Sequence, residues 1–182
     1  KFNNVVGIDL SKTVIQRAKE NLKIINKEYC KKLKFMQPDL SGEKLPEIKD
    51  KSFDFLVSVA TIEHVLNPYT VLDELYRIAK SNSYLICSVP NYAYIKYRLQ
   101  LLFGVLPITG TDKPIDQWRE AGWDGMHIHC FTKKAFSILL NDCGWEVISF
   151  YGWGKKFPLI GPLRKKFPSI LSGELIAYCK KK

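Results

Sequence analysis

The sequence has 182 residues, enough for one domain with a sizeable hydrophobic core. Hydrophobic residues make up 46% and charged residues 25% of the chain, a balance that excludes a disordered tail and a collagen-like repeat. The net charge of +10 favours an anionic partner or surface, but no motif of nucleic-acid recognition accompanies it. We therefore expect a solvated basic surface and no nucleic-acid partner.

The cysteines are odd in number, widely separated and without a Cys-x-x-Cys pair. They are Cys30, Cys87, Cys130, Cys143 and Cys179. This pattern argues against a disulfide framework and against a structural zinc site. It favours a reducing compartment, so we expect a cytoplasmic protein.

The apolar segments are too short to cross a membrane. The longest run, from Leu99 to Ile108, is interrupted by Gly104 and Pro107. No signal-peptide pattern is present. The chain starts at Lys1 and enters a strand pattern almost at once, so we expect the natural protein to contain residues before Lys1.

Strand and helix patterns alternate from the start of the chain. A short apolar run over residues 5–8, ending at Asp9, predicts a buried parallel strand. Ser11 then caps a predicted helix. Its apolar face consists of Ile15, Ala18, Leu22 and Ile25. A weaker strand pattern follows at residues 34–37 and leads into a loop with Pro, Ser and Gly.

The next elements continue the alternation. Residues 53–60 are strongly strand-like, and Pro68 opens a helix. The buried face of that helix is predicted to contain Val71, Leu72, Leu75, Ile78 and Ala79. Residues 81–83 predict a turn, and residues 84–89 predict a strand that Pro90 stops.

The alternation is interrupted once and then resumes. Residues 91–130 are rich in aromatics, Gly and Pro and predict an insertion over the sheet edge. Thr132 then caps a helix that Gly144 closes. The apolar face of this helix is Phe136, Leu139, Leu140 and Cys143. Strands at 146–151 and 175–179 follow, separated by a loop with Pro158, Pro162 and Pro168.

This order of elements predicts an α/β fold. We expect a Rossmann-like, mostly parallel sheet with helices on both faces, in a single domain over residues 1–182. Ligands of such sheets bind beyond the carboxyl ends of the strands. The residues at those ends are Asp9, Asp39, the segment 60–64 and Asn91 after Pro90.

An acidic residue that closes a strand can accept two hydrogen bonds from a ribose diol. Asp9 is placed for this role, although an acid at a helix N-terminus is stabilised by the helix dipole alone. Asp39 can accept from an adenine amino group, but a Pro-Asp pair is also common in turns.

Taken together, the motifs resemble a known family. The segments are VVGIDLS, FMQPDL, LPEIKDKSFDFLVSVATIEHV, VLDELYRIAK, LICSVPN and HIHCFTKKAFSILLNDCGWEVISF. Their order and spacing, from about Val5 to Tyr151, resemble the class I S-adenosylmethionine-dependent methyltransferases. The nearest similarity is to the small-molecule branch that contains the ubiquinone-biosynthesis and MetW-like enzymes.

The resemblance implies S-adenosylmethionine as cofactor. It implies that Asp9 binds the ribose hydroxyls and that Leu10 packs against the adenine. It implies that Asp39 binds the adenine amino group, with the backbone amide of Leu40 beside it. It also implies that the backbone at Val59 and Ala60 lies near the methionine portion of the cofactor.

The resemblance also implies an acceptor side of the pocket, to which residues 91–130 contribute as a subregion. The Glu63-His64 pair matches the family's "EH" motif there, and Pro90-Asn91 matches its "PN" motif. We expect Glu63, Asn91 and His127 to contact a small-molecule acceptor. The aromatic residues of the subregion line a pocket for a flat or lipidic acceptor, or pack on the sheet.

One family feature has no counterpart. The family's first strand and glycine-rich loop are absent from the sequence, because its glycines do not form that cluster. In the family that strand lies between the strands matched to residues 5–8 and 53–59. Unpaired backbone groups inside a buried sheet cost about 1–3 kcal/mol each. The sequence therefore predicts either upstream residues in the natural protein or a rearranged sheet.

Methyl transfer to a hydroxyl benefits from a general base, for which histidine is suited near neutral pH. His64 is the candidate catalytic residue, and its alternative role is that of a loop histidine bonded to the backbone. His127, His129 and Cys130 have no fourth ligand at a recognisable spacing, so we expect no metal.

A basic and apolar segment near the C-terminus suggests a partner surface. Residues 155–167 interleave Lys and Arg with Phe, Leu and Ile, which suits peripheral contact with an anionic membrane. The prolines in this segment exclude a long amphipathic helix.

The leading hypothesis is methyl transfer from S-adenosylmethionine to a small molecule, with O-methylation favoured slightly over N- or C-methylation. One alternative is a non-catalytic nucleotide- or partner-binding module with a degenerate methyltransferase fold. A second is an NAD(P)-dependent oxidoreductase. Against it, Tyr92 is followed four residues later by Lys96, but this pair lies in the insertion and not on a catalytic helix.

Overall fold

A computed structural model of the protein describes residues 2–25, 32–38, 44–154 and 160–182. By its internal contacts the chain divides into two units, Lys1–Glu47 and Ile48–Lys182. We describe each unit separately, and the expectation of a single domain stays a prediction.

The first unit contains a parallel strand–helix–strand arrangement. Strand β1 (Val5–Ile8) pairs with β2 (Leu33–Met36), with Val5 opposite Leu33. Helix α1 (Lys12–Ile25) begins after Ser11, whose Oγ accepts a hydrogen bond from the Val14 amide at 3.3 Å. The predicted strand, cap and helix are confirmed, and the weak strand pattern is one residue from the observed β2.

The second unit is built on a mixed sheet of four described strands. They are β3 (Phe53–Val59), β4 (Ala79–Pro90), β5 (Trp145–Trp153) and β6 (Glu174–Lys181), in the order β3-β4-β6-β5. The β3–β4 pair is parallel, while β6 is antiparallel to both β4 and β5.

The α/β fold class is confirmed, and the antiparallel half of the second sheet is a refinement. Apolar patterns identify strands but not their directions. Since β5 and β6 pair antiparallel, the segment that joins them is not a crossover connection.

Helix α2 (Pro68–Ile78) lies between β3 and β4 in the chain. The side chain of Asn67 accepts a hydrogen bond from the Tyr69 amide at 3.0 Å, and Pro68 occupies the first turn, as expected. Leu72 and Ile78 are buried on its inner face.

The prediction of a turn at residues 81–83 is wrong, because these residues lie inside β4. The structure has strand from Ala79 onward, with Asn82 at φ 61. Ala79 lies opposite Phe53, while Tyr84 already lies opposite Phe55, so the additional residues form an irregularity inside β4.

Helix α5 (Lys133–Asp142) follows the insertion and covers the core. The Ala135 amide donates to Thr132 Oγ1 at 3.3 Å, and Gly144 follows the helix at φ 83, as the sequence predicted. The four predicted apolar residues of this helix face are all buried. The largest fully buried side chains around them include Trp145, Ile62, Leu72, Leu85 and Leu140.

The insertion contains short helices. They are α3 (Ile95–Leu102), a 3-10 turn (Ile115–Gln117), α4 (Trp118–Ala121) and a second 3-10 turn (Trp123–Met126). The proline-rich stretch predicted as loop also contains two short helices, α6 (Ile160–Lys166) and α7 (Pro168–Leu171). Pro168 initiates a helix because its fixed φ suits the first helical turn. Within the described ranges, every helix falls short of the length and apolarity that a membrane span requires.

Candidate active site

The end of β1 positions Asp9 in the first unit. Asp9 Oδ1 accepts a hydrogen bond from the Ser11 amide at 2.7 Å, and the Asp9 amide donates to Met36 O at 3.3 Å. One carboxylate oxygen thus fixes the turn into α1, and Oδ2 has no donor among the residues described. The geometry is compatible with both predicted roles of Asp9, helix capping and ribose binding.

The other adenosine-side residues of the first unit are only partly described. Leu10 is 44% exposed, and its carbonyl accepts from Gln37 Nε2 at 2.8 Å. An exposed leucine beside Asp9 suits packing against a ligand ring. Asp39 and Leu40 lie outside the described residues.

In the second unit, the end of β3 turns sharply. Ala60 has a φ of 48, which is unusual for a residue with a side chain, and its amide is 3.3 Å from Ser88 Oγ. Val59, the last residue of β3, is 54% exposed although it belongs to an apolar strand. Their proposed contact with the cofactor stays a prediction.

The turn after β3 brings Glu63 and His64 together with His127 from the insertion. The Nε2 atom of His127 is 4.0 Å from Glu63 Oε1, and the rings of His64 and His127 have centroids 4.6 Å apart in an edge arrangement. Glu63 is 1% exposed, the His127 side chain is 7% exposed, and His64 is exposed. The sequence predicted His64 as the catalytic residue and Glu63 and His127 as acceptor-binding residues, and it did not predict that His127 lies beside the Glu63-His64 pair.

Backbone hydrogen bonds hold the two segments of the cluster together. The amides of Ile128 and His129 both donate to Glu63 O, at 2.9 and 3.2 Å. His129 Nε2 is 2.8 Å from Val65 O. The side chain of His129 is therefore used to fix this segment, whereas His127 points to Glu63.

A polar network lies behind His127. Its Nδ1 is 2.9 Å from Thr109 Oγ1, which is 2.9 Å from Asp124 Oδ2. Tyr92 donates its hydroxyl proton to the same Oδ2 at 3.0 Å. The amides of Thr109 and Gly110 donate to Asp124 Oδ1 at 2.8 and 2.9 Å.

The charges of this network follow from burial and hydrogen bonding. Burial alone would raise the pKa of Asp124, but the donors of Gly110 and Thr109 outweigh it and lower the pKa. Burial raises the pKa of Tyr92. Asp124 is thus an ionised acceptor and Tyr92 a protonated donor at neutral pH.

The cluster itself is desolvated. Burial raises the pKa of Glu63, opposed by its own backbone amide and by His64. Burial, together with the neighbouring His64, lowers the pKa of His127, so its imidazole is held neutral.

Asn91 has a different environment from the one predicted. It is fully buried, its Nδ2 donates to Ser169 O and Ser172 O, and its Oδ1 accepts from the Ala93 amide. These bonds occupy the side chain and join the end of β4 to the 169–172 segment. They favour a structural role, and substrate contact by Asn91 stays a prediction.

Thr109 and Asp124, which orient His127 through hydrogen bonds, were not predicted from the sequence. A Cβ on Gly125 would lie 2.1 Å from Gly110 O, so these two glycines let the two loops touch. The Asp124-Gly125 pair is a turn signal in the sequence, but nothing there indicates its partner 15 residues earlier.

Residues 1–87 match the family described as methyltransferase domain. No curated protein matches the sequence significantly.

Solved structures of methyltransferases share the fold. One from Thermotoga maritima is 20% identical with a TM-score of 0.62, covering 97% of this chain and 72% of its own. One from Methanosarcina mazei is 20% identical with a TM-score of 0.63, covering 98% and 82%. One from Mesorhizobium loti is 15% identical with a TM-score of 0.65, covering 98% and 81%. All three are S-adenosylmethionine-dependent methyltransferases.

The strand order agrees with the expected fold class. Residues 1–87 match the methyltransferase domain family, and the chain shares the fold of the solved S-adenosylmethionine-dependent methyltransferases.

Proposed function

We propose that the protein transfers the methyl group of S-adenosylmethionine to a hydroxyl oxygen of a small-molecule acceptor, with His64 as the general base. The observation that supports this most directly is the orientation of His64. Its Nδ1 is 3.1 Å from Met126 O, and a carbonyl can only accept, so Nδ1 carries the proton. Nε2 then has a free lone pair to receive the acceptor proton.

The surroundings of His64 support the same role. When bound, S-adenosylmethionine supplies an activated methyl group, so the protein has to orient the acceptor and remove its proton. When Glu63 is ionised, its carboxylate attracts the imidazolium that forms as His64 takes up that proton. His127, held neutral, is available to hydrogen-bond the acceptor.

On the cofactor side, we propose that Asp9 binds the ribose hydroxyls through its free Oδ2. The residues present fit such a role, since the carboxylate follows a strand and Oδ1 is already fixed by the Ser11 amide. The binding of S-adenosylmethionine to Leu10, Asp39 and Leu40, and to Val59 and Ala60, belongs to the same proposal.

Calorimetry with S-adenosylmethionine and S-adenosylhomocysteine tests the Asp9 assignment. Asp9→Ala should weaken binding by about 1–3 kcal/mol, the scale of a lost buried hydrogen-bond partner. Asp9→Asn keeps the acceptor for the Ser11 amide and therefore separates ligand binding from the start of α1. Unchanged affinity in both variants, with an unchanged circular dichroism spectrum, would remove Asp9 from the site.

A further inference from the structure

We propose that Glu63, His64 and His127 bind one divalent transition-metal ion. One ligand atom from each side chain lies within 4.8 Å of the other two, and the set consists of two imidazoles and a carboxylate. Residues of this kind bind zinc and similar ions at about 2.0–2.2 Å, so a small movement of the side chains closes the site. The sequence predicted no metal, because the candidate ligands His127, His129 and Cys130 lacked a fourth ligand at a recognisable spacing.

The buried carboxylate is the first argument for a cation. Neither oxygen of Glu63 has a hydrogen-bond partner in normal geometry, although the residue is 1% exposed. The nearest cationic candidate, His127 Nε2, is 4.0 Å away, beyond hydrogen-bond distance. Buried carboxylates are normally paired or bound to a metal, because an isolated one is strongly destabilised. An ion between Glu63 and the two imidazoles supplies the missing partner.

The tautomers of the two histidines are the second argument. His64 donates from Nδ1 to Met126 O, which leaves the Nε2 lone pair free. For His127, the hydroxyl of Thr109 donates to Asp124, because a carboxylate only accepts. Thr109 Oγ1 therefore accepts from His127 Nδ1–H, and the lone pair of His127 is on Nε2, the atom nearest Glu63.

The hydrogen bonds behind the histidines are those that metal ligands require. Metal-binding histidines usually donate their second ring nitrogen to a carbonyl, a carboxylate or a relay to one, which fixes the ring. His64 uses a carbonyl, and His127 uses Thr109 and Asp124.

The donor set favours particular ions. Imidazole ligands suit Zn²⁺, Fe²⁺, Co²⁺ and Ni²⁺, whereas Ca²⁺ and Mg²⁺ prefer oxygen ligands. Three protein ligands with an exposed side, here the side of His64, leave a position for a further ligand. On the basis of the proposed function, that ligand is the acceptor oxygen, whose proton the metal makes more acidic. A bound ion would use the Nε2 lone pair of His64, so in the metal-bound form the acidified proton of the acceptor would pass to solvent water at the exposed side instead of to His64.

Metal binding to the full chain tests the inference without any activity assay. Protein freed of metal with a chelator is titrated with Zn²⁺ by calorimetry and with Co²⁺ by visible absorption. We expect one equivalent of each ion and the absorption bands of a protein-bound cobalt. Glu63→Gln and His127→Gln should weaken binding at least about tenfold, and Thr109→Val about 10- to 100-fold through the orientation of His127.

Cys130→Ser is the matched control, because Cys130 is an exposed thiol in the same segment and a ligand for zinc in its own right. This variant should bind like the unmodified protein. Absence of stoichiometric binding, or equal affinity in the Glu63 and His127 variants when their circular dichroism is unchanged, would overturn the metal site. Calorimetry with S-adenosylmethionine on the same samples reports separately on the proposed function.

Discussion

His64 shows how a single exposed side chain acquires a defined chemical state from its neighbours. Its hydrogen bond to Met126 O assigns the proton to Nδ1, so the reactive lone pair is on Nε2. Met126 belongs to the insertion, which means that the tautomer of a residue after β3 depends on a segment more than 60 positions further along.

At the residue scale we predict that His64→Ala lowers turnover by about 10²- to 10⁴-fold, the usual contribution of a general base. The affinity for S-adenosylmethionine should change little, because the residue acts on the acceptor. Formation of S-adenosylhomocysteine with an acceptor found by screening measures the rate. Added imidazole should restore part of the activity, and a normal rate in the variant would end the assignment.

At the scale of elements, the junction between α5 and β5 depends on one backbone conformation. Gly144 has a φ of 83, and a Cβ at this position would lie 2.7 Å from Cε2 of Tyr76. The Gly144 carbonyl accepts from the Lys182 amide at 3.1 Å, while Lys181 Nζ donates to Tyr76 O and Ala79 O at 2.6 and 2.8 Å. The end of β6 is thus tied to the ends of both helices, α2 and α5.

We predict that Gly144→Ala destabilises the protein by about 1–3 kcal/mol, since alanine is strained at positive φ and meets the Tyr76 ring. Urea unfolding followed by circular dichroism measures the change. Ser137→Ala, on the preceding helix, is a control that should remain within about 0.5 kcal/mol. Equal stability of Gly144→Ala and the unmodified protein would contradict this account of the junction.

Helix α3 and the residues after it form a second feature at this scale. No residue of α3 is buried, and the apolar surface continues beyond it. Exposed members of this surface are Leu99, Leu101, Leu102, Phe103, Val105 and Leu106. Lys96 and Arg98 belong to the same helix, so apolar and cationic groups occur together. This combination suits an anionic bilayer.

The structure describes the exposed apolar surface at α3 completely. It describes only part of the C-terminal segment for which the sequence predicted membrane contact. Of that segment, residues 155–159 lie outside the described ranges, and Phe167 is 44% exposed. Membrane contact by residues 155–167 stays a prediction, and contact by α3 is a new expectation from its exposed apolar surface.

We predict that the protein sediments with anionic phospholipid vesicles at low salt, and less with neutral vesicles. Replacing Leu102 and Phe103, which are 75% and 78% exposed, by Ser should reduce binding several-fold. Ile24→Ser is the matched control, because Ile24 is 83% exposed on α1. No binding to anionic vesicles at low salt would dismiss the hypothesis.

At the scale of the whole molecule, the second unit has a dry core that includes most of the described thiols. Cys87 and Cys179 are fully buried on neighbouring strands, and Cys143 is 5% exposed at the end of α5. Burial raises the pKa of Cys143 and of Cys179 to about 12, and raises that of Cys87 further. The thiolate is the reactive form of cysteine, so the raised pKa and the burial both slow the reaction of these three thiols with reagents.

We predict that Cys130, the exposed cysteine, is the one fast-reacting thiol among the cysteines that the structure describes. The experiment uses a Cys30→Ser background, since Cys30 lies outside the described residues. Ellman's reagent at mildly alkaline pH should label one thiol quickly, and Cys130→Ser should remove that phase. The remaining thiols should react only in denaturant. A second fast phase without denaturant would contradict the packing of the core.

The sequence by itself determined most of the elements and the class of fold. The periodic apolar positions of α5 and the caps Ser11 and Thr132 act through neighbours a few residues away, so local patterns reveal them. The same holds for Asp9, whose position after a short apolar strand is visible in the sequence.

Only the tertiary structure decided the strand directions at β6 and the grouping of Glu63, His64 and His127. The two parts of that cluster are 63 residues apart and meet through backbone bonds from Ile128 and His129 to Glu63. The burial of Glu63, the tautomers of both histidines and the structural use of Asn91 arise from such long-range contacts. Local sequence patterns specify secondary structure because its hydrogen bonds are local, whereas the chemistry of a site depends on which distant groups exclude water from it.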